Sequence, residues 1–135
     1  MRKIVFTNGC FDILHYGHIR LLEYAKSLGD ELIVAINSDA SVQRLKGCDR
    51  PIIPFKQRLL TLRALRCVDF VCGFEDDTPL KLIEEIHPHI LVKGPEAINA
   101  PIPGADFVRS YGGEVIVPSW EVDISTTSIL KRLQG

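Results

Sequence analysis

A chain of 135 residues is long enough to bury one sizeable core, and residues 1–135 read as a single domain. Its 16 Lys+Arg against 17 Asp+Glu leave no basic excess, which argues against a general nucleic-acid surface or a membrane-binding face. No apolar run approaches the roughly 20 residues needed to span a bilayer. There is no N-terminal signal pattern, and Cys10, Cys48, Cys67 and Cys72 form no Cys-x-x-Cys pair, so the expectation is reduced thiols in a cytoplasmic protein.

In chain order, Ile4-Val5-Phe6 marks a first strand over residues 3–6. Residues 19–28 follow with helical spacing, Leu21, Leu22, Ala25 and Leu28 forming one face and Gly29 a stop. A second buried strand covers 31–36, and Asn37-Ser38-Asp39 caps a short helix towards Lys46. Residues 47–53 form a loop; Pro54 suits the first turn of a helix reaching about Cys67. A third strand takes 69–73. Asp77-Thr78-Pro79 is an N-cap and first-turn combination for a helix to Ile86, which His87-Pro88 breaks before a fourth strand, Ile90-Leu91-Val92. Residues 96–104 are a proline-rich irregular loop. A helix over 105–111, a fifth strand over 114–117 and a last helix, capped by Ser125 or Thr126 and running to Leu133, complete the chain. Short apolar strands separated by helices imply a parallel sheet covered on both faces. The expected fold is one doubly wound, Rossmann-like α/β domain with a five-stranded parallel sheet.

The chemistry concentrates between the first strand and the first helix, in Thr7-Asn8-Gly9-Cys10-Phe11-Asp12-Ile13-Leu14-His15-Tyr16-Gly17-His18. Open α/β sheets place ligands outside the carboxyl ends of their strands. Two histidines three positions apart at a helix opening share a face, and the positive end of the helix dipole favours an anion there. Gly17 leaves room for a nucleotide to pack against the turn. Neither Gly-x-Gly-x-x-Gly nor Gly-x-x-x-x-Gly-Lys-[Ser/Thr] is present, so dinucleotide and P-loop sites are unsupported. By themselves the two histidines could equally cap a helix or face solvent. A zinc site with Cys10 or Asp12 is a further alternative, although no other ligand pair has suitable spacing.

The strand followed by Thr-Asn-Gly-x-Phe-Asp-x-Leu-His-x-Gly-His resembles the cytidylyltransferase-like branch of the nucleotidyltransferases. The resemblance continues through Ala35-Ile36-Asn37-Ser38-Asp39, Arg44-Leu45-Lys46-Gly47, Gln57-Arg58, Phe74-Glu75-Asp76-Asp77-Thr78-Pro79, Leu91-Val92-Lys93-Gly94 and Ser125-Thr126-Thr127. The set is most similar to the heptose-1-phosphate adenylyltransferases. That resemblance implies an in-line attack by a sugar-phosphate oxygen on the α-phosphorus of an NTP, giving NDP-sugar and pyrophosphate. His15 and His18 would stabilise the triphosphate and the developing charge, and Lys46 would neutralise the β/γ-phosphates or the acceptor phosphate, with Arg44 a competing cation. Thr7, Asn8, Gly9, Phe11 and Gly17 would hold the nucleotide through the first turn. Arg58 would lie near the nucleotide or its phosphate, Lys93 and Gly94 would line the base pocket, and Ser125, Thr126 and Thr127 would cradle an anion. Asp12 and Asp39 would orient the acceptor sugar or a metal-bound water. Mg²⁺ would arrive with the triphosphate, no metal would be held by the protein itself, and the implied assembly is a homodimer. By contrast, His87 and His89 read as structural, Cys67 and Cys72 as core, and Trp120 as either a lid on the acceptor pocket or a cover on the sheet end.

Related glycerol-3-phosphate cytidylyltransferases, which use CTP, carry Arg-Thr before Gly-Ile-Ser-Thr-Thr. Here that stretch is Trp120-Glu121-Val122-Asp123-Ile124, without the arginine, which disfavours the glycerol reading. The heptose enzymes usually continue Lys-Gly-Gly-Asp, whereas this chain has Lys93-Gly94-Pro95-Glu96 and then the proline-rich loop. A nucleotide-binding module without catalysis is the alternative from a different class.

Overall fold

The computed structural model describes residues 2–120 and 126–134, with the side chains of 126 and 127 excepted. Five strands, β1 (Ile4–Gly9), β2 (Glu31–Asn37), β3 (Phe70–Phe74), β4 (Ile90–Val92) and β5 (Glu114–Ile116), form one sheet in the order β3-β2-β1-β4-β5. Every pairing is parallel, with Thr7 of β1 opposite Val34 on one side and Val92 on the other. The helices are α1 (Tyr16–Ser27), α2 (Asp39–Lys46), α3 (Phe55–Arg63), α4 (Leu80–Ile86), α5 (Ala105–Ser110) and α6 (Thr126–Leu133). The doubly wound architecture follows from the strand pattern. Val5, Leu32, Val34, Ile36, Ile90 and Val92 point to one face and pack with Leu22 and Ala25 of α1 and Leu62 of α3. Their neighbours Phe6, Ala35 and Leu91 point to the other face, against Ile83 of α4 and Val108 of α5. Alternation along each strand therefore feeds two cores, which is why the runs are continuously apolar.

Several boundaries differ from the sequence-based expectation, each for a local reason. β1 extends to Gly9, because its pairing with β2 continues through Asn8–Ala35 and Gly9–Ile36. α1 starts at Tyr16 because His15 is its N-cap. α3 ends at Arg63 and not near Cys67: the chain turns at Ala64, and Leu65 and Cys67 pack on the core from that turn. Asp77 and Thr78 do not cap α4; Pro79 occupies the cap position without a side-chain hydrogen bond, and Asp77 pairs with Arg44. The 96–104 loop is entered by a 3₁₀ turn, Pro95–Ala97. His87 ends α4 in the left-handed conformation (φ 56°) and stacks on Tyr111, while His89 Nδ1 accepts from the Ile4 amide, so both histidines serve the frame.

Candidate active site

The carboxyl ends of β1, β2 and β4 open into a cleft of about 630 Å³, a size suited to a small-molecule ligand. Its floor is the β1–α1 connection. Phe11 holds a left-handed backbone (φ 48°), unusual for a residue with a side chain, and sinks its ring into the core 5.0 Å from the His18 ring. Gly9 eases this placement, since a Cβ there would lie 3.0 Å from the Phe11 ring and push it aside by a few tenths of an ångström. The turn thereby presents His15 and His18 to the cleft.

Their tautomers are set by the backbone. His15 Nδ1 accepts from the Gly17 amide at 3.1 Å, and His18 Nδ1 accepts from the His15 amide at 3.3 Å, a reciprocal cap on α1. With each Nδ1 used as an acceptor, a neutral ring carries its proton on Nε2. The rings stack with centroids 3.9 Å apart. Burial lowers the His15 pKa; burial and then the neighbouring His15 lower that of His18 to about 4. Near neutral pH the pair offers two uncharged Nε2–H donors. The sequence left helix capping and ligand binding as alternatives, and the geometry shows one nitrogen of each ring capping while both rings line the cleft.

Around this pair the cleft has two unlike sides. On the β2 side stand exposed Lys46, Asp77 and Thr78; on the β4–β5 side stand Lys93, Gly94, Pro95, Glu96 and Trp120. Arg44 does not line the cleft: its Nε donates to Asp77 Oδ1 at 3.0 Å and its Nη2 to the Glu75 carbonyl. Lys46 makes no ion pair among the described residues, so it is the available cation of the two. Lys93 is half-buried; desolvation lowers its pKa against the pull of Glu96 and Cys10, and its ammonium donates to Asn8 O and Oδ1 at 3.3 and 3.2 Å. Gly94 is overlain by Glu96, whose carboxylate comes within 2.4 Å of where a Cβ would be.

Three expected site residues are not brought to the cleft. Thr7 is fully buried within the sheet, its hydroxyl donating to Val92 O at 2.7 Å. Arg58 is fully buried as well: Nε donates to Ile53 O, Nη1 to Cys10 O and Asn37 O, and Nη2 to Asp39 Oδ1, all between 2.7 and 2.9 Å. It fastens the first turn, the end of β2 and the 50–53 loop behind the cleft. Asp39 is thereby Arg58's partner and does not line the cleft. Asp12 does border the cleft, yet its carboxylate accepts from Arg50 Nε at 2.7 Å and from the Ile52 and Ile53 amides at 2.9 and 2.8 Å. Burial alone would raise its pKa; those amides and the guanidinium outweigh it and hold the carboxyl below the usual range. Ser125 lies outside the described residues, and Thr126 and Thr127 begin α6 with side chains outside them too. Residues given no site role from the sequence, among them Asn37, Asp77, Thr78, Arg20 and Glu96, line it; Asn37, Asp77 and Thr78 stand in stretches that carry the resemblance, where no site role was assigned to them.

Among the described residues no group of three or more His, Cys, Asp or Glu is placed to hold a metal ion, and Cys10 donates to Asn37 Oδ1 at 3.7 Å, leaving the zinc alternative without a ligand set. Asp12 and Asp77, the cleft-lining aspartates, are each paired with an arginine.

Comparison with known proteins agrees with this geometry. The family described as Cytidylyltransferase-like matches residues 6–132. The chain is 52% identical over 133 residues to the bifunctional protein HldE of Photorhabdus laumondii, and 52% identical over 132 residues to that of Klebsiella pneumoniae, in each case over 98% of this chain and 28% of the relative. It therefore spans little more than a quarter of those relatives' length. A crystal structure of the lipopolysaccharide core biosynthesis protein from Thermoplasma volcanium superposes with a TM-score of 0.73 at 28% identity, over 87% of this chain and 94% of that one. With its parallel sheet, histidine-bearing first turn and a family match along nearly its whole length, the chain belongs to the cytidylyltransferase-like family of nucleotidyltransferases.

Proposed function

We propose that the chain transfers AMP from ATP to heptose 1-phosphate, releasing pyrophosphate. The observation that carries the nucleotidyl transfer is the stacked His15–His18 pair lining the cleft, with each Nδ1 engaged by the backbone so that each Nε2–H is left as a donor for a phosphate oxygen. An acceptor phosphate oxygen attacks the α-phosphorus; the bond from that phosphorus to the bridging oxygen breaks, and pyrophosphate leaves with its electron pair. A phosphate nucleophile is already ionised near neutral pH, so no general base is needed. Charge growing on the α-phosphate oxygens is met by the two imidazoles and the amides opening α1. Mg²⁺ on the triphosphate supplies Lewis-acid neutralisation of its oxygens.

The choice of heptose rests on the sequence resemblance, on the HldE relatives and on a lipopolysaccharide-core protein as structural neighbour. Gly94, Pro95 and Pro103 beyond β4 suit a nucleobase, and the polar β2 side suits a hydroxylated acceptor whose phosphate meets Lys46. A cytoplasmic location fits ATP as substrate and four free cysteines, no helix being long and apolar enough to cross a membrane among the described residues. A homodimer is the assembly that the resemblance supports.

Pyrophosphate release measured for four NTPs against heptose 1-phosphate, glycerol 3-phosphate and other sugar phosphates tests the reading. The largest kcat/KM is expected for ATP with heptose 1-phosphate; CTP with glycerol 3-phosphate as the best pair would replace the substrate assignment, and no release from any pair would leave a binding module. Lys46→Ala is expected to lower kcat/KM by roughly 10–100-fold, the scale of a lost hydrogen bond to a charged group. Arg44→Ala removes only a surface pair and should stay within about threefold. The reverse order would move the phosphate cation to Arg44.

A further inference from the structure

Nucleotidyl transfer brings two phosphorylated substrates into one cleft, and the cleft's cations are unevenly available. Four line it: Arg20, Lys46, Arg50 and Lys93. Arg50 is committed to Asp12, and Lys93 donates to Asn8. Lys46 remains on the β2 side, and Arg20 is the remaining one.

Arg20 projects from α1, one helical turn beyond Tyr16 and on the same face, and its guanidinium lies 4.1 Å from the centroid of the Trp120 ring. Trp120 is itself braced edge-on by Tyr24 of α1, with centroids 5.2 Å apart. Arg20 makes no hydrogen bond or ion pair among the described residues. A guanidinium held over an indole ring keeps N–H donors available while losing much of its rotamer freedom. This is the preparation expected of a residue that receives a phosphate, because the ordering cost is met before the ligand arrives. Trp120, over which Arg20 lies, follows β5, whereas Lys46 ends α2 after β2, and these two strands lie on opposite sides of β1 in the sheet.

We infer that Arg20, held on Trp120, binds the β- and γ-phosphates of the nucleoside triphosphate, leaving Lys46 to the acceptor phosphate. This rests on the nucleotidyl-transfer reading and assigns one cation to each substrate. It also gives Trp120, the only tryptophan of the chain, a position where its emission reports nucleotide binding.

Binding is read from Trp120 fluorescence in wild-type protein, Arg20→Gln and Arg20→Lys, titrated with ATP, AMP and inorganic tripolyphosphate in the presence of Mg²⁺; steady-state KM values are measured alongside. Arg20→Gln is expected to weaken ATP and tripolyphosphate by roughly tenfold or more and AMP by less than twofold, with KM rising for ATP and not for the acceptor. Arg20→Lys, which keeps the charge and loses the planar fork, should fall between. Unchanged ATP affinity in Arg20→Gln, equal weakening of AMP and ATP, or a rise confined to the acceptor KM would each overturn the assignment while leaving the transfer reaction standing. Wild-type protein that neither binds nor turns over any NTP would overturn both.

Discussion

Replacing His18 with alanine is expected to lower kcat by roughly 10²–10³, the usual effect of removing one preorganised donor from a developing oxyanion. The pH dependence gives a sharper test of how the histidine acts. If an imidazolium were required, kcat/KM would fall as pH rises through the ordinary histidine range. In the free protein His18 titrates at about 4, because it is buried and stacked on His15, so it is a neutral donor throughout the neutral range. Values of kcat/KM are therefore expected to show no decline between pH 6 and 8; a drop with a midpoint near 6.5 would mean that a histidine of the site keeps its ordinary pKa and works as the charged ring.

Stability should carry the same signature with a definite sign. The folded-state pKa of His18 lies below the unfolded value near 6.5, so the unfolded chain binds the extra proton more readily. The contribution is present above pH 6.5 and is lost as pH falls towards 4. Urea midpoints of wild-type protein should decrease across that interval, and those of His18→Ala should decrease less. The variant also loses the acceptor for the His15 amide, so its midpoint at neutral pH starts lower by about 1 kcal/mol of capping.

The largest stability loss is expected at Arg58. Its guanidinium donates to three carbonyls, those of Cys10, Asn37 and Ile53, and so joins chain segments far apart in sequence. Truncation to alanine leaves those acceptors facing a cavity, and the expected cost is roughly 3–5 kcal/mol by urea denaturation. Most of this comes from the orphaned carbonyls and not from the ion pair, since Asp39 is half exposed. Asp39→Ala should thus cost under about 1 kcal/mol. A loss below 1 kcal/mol in Arg58→Ala would show that the turn and the loop are held by other contacts.

Arg58 also shows how much of the site could be read from the chain. Its position beside Gln57 made it a plausible ligand residue, but whether a polar side chain at the end of an element reaches into a cleft or behind it depends on partners 5 to 48 positions away. Thr7 failed to reach the cleft for a similar reason: its face of β1 looks onto Val92 of a strand that arrives 85 residues later. Asp12 was legible as a site-bordering carboxylate, and only the folded loop shows that its lone pairs are consumed by Arg50 and two amides.

What the sequence determined by itself is whatever depends on local period and spacing. The alternating strand faces required helices on both sides of a parallel sheet, and His15 and His18 were bound to share the first turn of a helix at the end of a buried strand. Tertiary structure alone decided which polar groups remain free for ligand. Arg44 meets Asp77 across 33 positions, Asp12 meets Arg50 across 38, and Arg20 meets Trp120 across 100. Each pairing joins residues that no short-range pattern connects, and each either consumes a charge or holds it ready. The motif names the reaction because its geometry is local, whereas the division of charge between substrates is long-range and appears only when the chain is folded.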